Sequence, residues 1–130
     1  MATGSDRRIA TAVLMVEAAR ADFDRSPQEL NLVRDTLAAA FDMPADEAGR
    51  LVSEAVSQSE RAISLHGFVS ELNRELDASD KANLIGWLWQ IAHADGRVDV
   101  QEEAMIRRMA DLLYVPHSVL VRQRIEAEER

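Results

Sequence analysis

Residues 84–113 read LIGWLWQIAHADGRVDVQEEAMIRRMADLL, and their spacing is helical throughout. Leu84, Ile85, Leu88 and Ile91 recur at the spacing of one helix face, with Trp87 beside them. Gly96 follows His93-Ala94-Asp95 as a left-handed helix stop. Asp99-Val100-Gln101-Glu102 then restarts a helix, with Asp99 as N-cap and Glu102 closing a capping box. Met105, Ile106, Met109, Leu112 and Leu113 form its apolar face. The stretch is a helical hairpin with an acidic corner.

Outward from it the same pattern continues. On the N-terminal side, Ser79 or Asp80 caps the Leu84–Ile91 helix, which is expected to be the central one. Before it, Phe68, Val69, Leu72 and Leu76 give a short helix after His66-Gly67. Leu51, Val52 and Val56 give another, opened by the Asp42-Met43-Pro44 turn and ending near Ser64. Ser26-Pro27-Gln28-Glu29 is a second capping box, leading into a stripe of Leu30, Val33, Leu37 and Phe41. The first helix carries Ile9, Val13 and Val16, joined by Leu14 and Ala18, and runs to about Ala21. On the C-terminal side, Pro116 introduces a last helix with Val119, Leu120 and Ile125. No segment of useful length alternates with period two. The sequence predicts an all-α, single-domain bundle of about seven helices, with a tail over 1–8, the helical domain over 9–125 and a frayed end over 126–130.

Composition bounds the function. The 130 residues are 47% hydrophobic and 29% charged, and none is cysteine. A chain of this size buries enough surface to fold without a disulfide or metal, and thiolate metal sites and cysteine nucleophiles are excluded. Fifteen basic against 23 acidic residues give a net charge of -8. That balance argues against nucleic acid and anionic membranes as partners and favours cations or basic proteins. MATGSDRRIA at the start has no apolar segment after its arginines, and nothing approaches the roughly 20 apolar residues of a membrane span. A cytoplasmic location, with no membrane insertion, is the expectation.

The chain also resembles itself. Setting Ala19 against Ala92 aligns Ala21 with Ala94, Asp22 with Asp95, Glu29 with Glu102 and Arg34 with Arg107. Apolar positions follow: Leu14 with Trp87, Met15 with Leu88, Leu32 with Met105 and Val33 with Ile106. One residue out of step, Phe41-Asp42-Met43-Pro44 matches Leu113-Tyr114-Val115-Pro116. The halves read as two pseudo-repeated helical hairpins.

Each hairpin corner gathers carboxylates: Asp22, Asp24 and Glu29 in the first, Asp95, Asp99 and Glu102 in the second. Calcium and magnesium take several oxygen ligands of this kind, and His93 with nearby carboxylates would suit zinc. The same residues read equally as helix punctuation, with Ser26/Glu29 and Asp99/Glu102 as capping boxes and Gly96 as a stop. The corner is not an EF-hand, since its glycine falls in the second place and Ile106 stands where a bidentate glutamate belongs.

The segment Ile91-Ala92-His93-Ala94-Asp95-Gly96-Arg97-Val98-Asp99-Val100-Gln101-Glu102, with its weaker copy from Ala18 to Glu29, resembles the tellurite-resistance TerB family. The likeness covers roughly Ile9 to Arg124. The first copy departs from the A-D-G-x-x-D-x-x-E pattern, with Phe23 in place of glycine and Ser26 in place of aspartate. The resemblance implies an all-helical, cytoplasmic, stress-associated protein with cation-binding acidic corners and no catalytic activity. On that basis Asp22, Glu29, Asp95, Asp99 and Glu102 are the candidate ligands of a divalent cation: calcium, magnesium or zinc. The alternative is a protein-interaction scaffold in which these residues only cap helices and an acidic or aromatic face docks a protein partner.

Other signals are weaker. His66, His93 and His117 are far apart and sit in no catalytic signature, and the single lysine, Lys81, has no acid-base partner in the pattern. No phosphate loop or nucleophile elbow occurs, so an enzyme is not expected. Trp87 is expected in the core, with Trp89 at its edge.

Overall fold

Between Ala10 and Ala19 the first helix carries a single charged residue, Glu17, so it is apolar nearly all round. Such a helix is stable only when enclosed. In the computed structural model, which describes residues 3–19, 27–61, 64–93, 98 and 100–129, this helix is the axis of the bundle. Among the described residues the chain forms seven helices and no strand: α1 (Thr3–Ala19), α2 (Pro27–Ala40), α3 (Ala45–Arg61), α4 (His66–Glu75), α5 (Ala78–Ala92), α6 (Val100–Leu112) and α7 (His117–Glu128). Helices α2 to α6 all pack on α1, and α7 packs chiefly on α5. The central place expected for α5 therefore belongs to α1. Small residues explain this, because Ala10, Thr11, Ala12, Ala18 and Ala19 let neighbours approach on faces that the Val13 and Val16 stripe does not cover. Helix α1 also begins at Thr3, well before that stripe opens at Ile9.

The outer helices bury one face each. In α3 it is Ala48, Val52, Ala55 and Ser59, in α4 Val69 and Leu72, and in α6 Glu102, Ile106, Met109 and Ala110. Helix α5 buries much more, from Leu84 to Ala92. Its cap differs from expectation. Asp77 is the N-cap, accepting from the Asp80 amide at 2.8 Å, while Asp80 accepts from the Asp77 amide at 3.3 Å. Ser79 lies inside the first turn, because the reciprocal pair forms at Asp77-x-x-Asp80.

The tryptophans exchange the roles given to them. Trp89 is 1% exposed and Trp87 is half-buried at the edge of the core, its ring 6.4 Å from that of Phe41. The cause is α7, which covers the Trp89 side of α5: the indole Nε1 donates to the Leu120 carbonyl at 3.2 Å, and the Arg124 guanidinium lies 5.0 Å over the ring. On α7 itself Leu120 is buried, while Ile125, expected in its apolar stripe, is 49% exposed.

Candidate cation-binding corners

Glu29 stands in the first turn of α2 and Glu102 in the first turn of α6. An acid there faces the positive end of its helix and normally stays in water. Asp46, in the first turn of α3, behaves that way, with a side chain 77% exposed. Glu29 and Glu102 do not, being 7% and 2% exposed. Among the described residues they are the buried ionisable groups; the other buried polar residues are Thr11 and Ser59.

Spacing explains their burial. Glu29, Val33 and Leu37 recur every fourth residue along α2, as do Glu102, Ile106 and Ala110 along α6, and all six are buried. Each glutamate is thus the first member of a core-facing stripe, and its helix cannot dock without drawing it inside. Enclosing a carboxylate costs several kcal/mol unless partners compensate. Both glutamates have interaction partners.

The remaining predicted ligands, Asp22, Asp95 and Asp99, lie outside the described residues, as do Asp24, the Ser26 cap and the Gly96 stop. Among the described residues no three His, Asp or Glu side chains group as metal ligands would.

His93 closes α5 next to the second corner. Its amide donates to the Trp89 carbonyl at 3.0 Å, and its Nε2 is buried with no hydrogen-bond partner among the described residues. A buried polar atom left in that condition costs about 1–3 kcal/mol. His66 and His117 are exposed at the starts of α4 and α7.

A set of ion pairs braces the second corner. Glu103, next to Glu102, accepts from Arg107 at 2.9 Å and meets Arg124 of α7 at 3.4 Å. Arg124 also reaches Glu128 at 3.5 Å while lying over Trp89. The first turn of α6 is thereby tied through α7 to the indole one helical turn before His93. Sequence reasoning missed this brace and the burial of the two glutamates, although the latter was visible in the four-residue spacing.

Comparison with protein-family models matches residues 8–125 to TerB, tellurite resistance protein TerB. No curated protein and no solved structure gives a significant match.

Proposed function

The chain belongs to the TerB family of tellurite resistance proteins, and from that premise we propose that it is a non-enzymatic, cytoplasmic, stress-associated protein that binds a divalent cation at its two acidic corners. The observation that carries this reading is the burial of Glu29 and Glu102 at matching places in the two halves. A capping box works in water and gives no reason to enclose its glutamate, whereas a cation site gains from a carboxylate held away from solvent. Asp22 would complete the first corner, and Asp95 and Asp99 the second. The donor set fits: carboxylate oxygens suit calcium or magnesium, and the His93 Nε2, unpartnered among the described residues, favours zinc at the second corner. A bound cation would supply positive charge that offsets the buried carboxylates and links the helices that carry them.

The test is a tryptophan-fluorescence melt of chelator-treated protein with calcium, magnesium, manganese or zinc added. An ion at about 100 times its dissociation constant adds roughly 2.7 kcal/mol, a midpoint rise of several degrees. Glu29→Gln and Glu102→Gln keep the shape and remove the charge; together they should abolish the rise while the ion-free protein still melts cooperatively. An undiminished rise in the double variant overturns the reading.

A scaffold function is the second reading, supported by exposed apolar side chains on α6, α7 and the turn between them: Val100, Leu112, Tyr114, Val121 and Ile125. It predicts no response to any ion and retention of a basic protein partner in chelator.

A further inference from the structure

Helices α4 and α6 both lie on α1 but scarcely touch one another. They are joined at one end, where the Asn73 side-chain amide donates to the Leu112 carbonyl at 3.1 Å. Between them lies a wedge of about 410 Å³, reached from α1 by Glu17. Leu65, Val69, Met105, Met109 and Leu112 give it an apolar lining, with Val69 and Met109 buried at its floor. The volume falls within the range of small-molecule sites, and two methionines let such a wall adapt to an occupant.

Charge selects the occupant. Arg7, Arg8, Arg34, Arg50, Arg61, Arg74, Arg107 and Arg124 each reach a carboxylate. Arg108 and Arg122 have no ion pair among the described residues, and of the two Arg108 lines the wedge, exposed at its rim. An uncommitted guanidinium beside an apolar hollow attracts an anion locally, against the protein's net charge of -8. His66 is exposed at the same rim. Glu17 lines the wall on the α1 side, where its carboxylate accepts the Ser59 hydroxyl, and it repels an anionic group placed deep. A ligand therefore enters chain first and leaves its charge at Arg108.

We propose that the α4–α6 wedge binds a small amphipathic monoanion, an aliphatic carboxylate, with its head on Arg108 and its chain against Leu65, Val69, Met105 and Met109. Neither Glu29 nor Glu102 lines this wedge, and its test is run in chelator, so neither reading depends on the other.

Decanoate, kept well below its micelle-forming concentration, is titrated into the full chain by calorimetry, with methyl NMR locating the site. Saturable binding is expected, with shifts at Val69, Met105 and Met109. Decan-1-ol should bind the parent about tenfold more weakly, and Arg108→Gln should weaken decanoate by about the same factor, as loss of one charge-assisted hydrogen bond requires, with its melting midpoint unchanged. Met105→Glu, at a half-buried position, places a like charge in the wedge and should abolish binding while the variant still melts cooperatively. The proposal is overturned by absence of saturation, by equal binding of decanoate and decan-1-ol, or by an unaffected Arg108→Gln. It is equally overturned if the wedge methyls shift on self-dilution instead, which would make a second copy of the chain the occupant.

Discussion

Asp42 and Tyr114 hold the same left-handed backbone, with φ of 51° and 61°, at the same place after a helix. In each case the next residue sends its amide back to close a six-residue turn, Met43 to Ala38 at 3.0 Å and Val115 to Ala110 at 2.8 Å. In each case that residue is buried and a proline follows. This is the Schellman stop, which favours glycine where these helices have aspartate and tyrosine. Tyrosine has the greater cost, since aspartate tolerates the left-handed region. Tyr114→Gly should therefore stabilise the fold by about 0.5–1 kcal/mol, less any weak contribution of Lys81, 5.8 Å over the exposed ring. Asp42→Gly should gain less and Tyr114→Val should lose. Midpoints of urea unfolding, at constant slope, decide the order.

Burial of Trp89 rather than Trp87 predicts two distinguishable emissions. Trp87→Phe should leave a blue-shifted spectrum and Trp89→Phe a red-shifted one. Trp89→Ala should cost about 3–5 kcal/mol, as expected of a fully enclosed indole, and Trp87→Ala clearly less. Equal losses would contradict the packing of α7 over Trp89.

Gly86 is buried where α5 meets α7, and a Cβ there would come within 2.4 Å of the Gln123 side-chain oxygen. The obstacle is the far end of a flexible side chain. Gly86→Ala alone should be near neutral, because the gain in helix propensity is offset by displacing the amide. Combined with Gln123→Ala it should stabilise by up to about 1 kcal/mol more than the two single changes sum to. A double-mutant cycle by thermal melting measures the difference.

The reciprocal bonds between Asp77 and Asp80 predict that Asp77→Ala costs about 1 kcal/mol, whereas Ser79→Ala, inside the first turn, is almost silent. Chemical denaturation of both variants distinguishes this cap from the one suggested by the sequence.

Ser59, 6% exposed on α3, donates to Glu17 of α1. Ser59→Ala removes a donor from a part-buried carboxylate and should cost about 1–3 kcal/mol. Ser53→Ala, on the exposed side of the same helix, is the control.

All seven helices were legible in the sequence, because their signals are local: four-residue apolar spacing, and prolines at helix starts, with Pro27 opening α2 and Pro44 and Pro116 just ahead of α3 and α7. What escaped depends on which element arrives from a distance. Trp87 and Trp89 point to different sides of one helix, and only the position of α7 decides which side is interior. Ile125 reads as core until α7 is seen to turn it outward. The α4–α6 wedge arises where two helices lie on a third with little contact between them, which no single stretch of chain encodes. Of the candidate ligands, Glu29 and Glu102 carried a readable sign, since each opens a buried stripe, yet the capping-box pattern matched the same residues and masked it. The family resemblance was legible in the Ala94-Asp95-Gly96 corner, and the family match over residues 8–125 agrees with it.

The enclosure of α1 bears on the order of events during synthesis. This helix leaves the ribosome before any helix that covers it, and α5 and α6 are completed only after residues 92 and 112. At roughly 5–20 residues per second, its Val13-Leu14-Met15-Val16 surface waits on the order of ten seconds for its last partners. Of the seven helices α1 waits longest for its cover, so the nascent chain has its greatest need of a chaperone while this helix stands open.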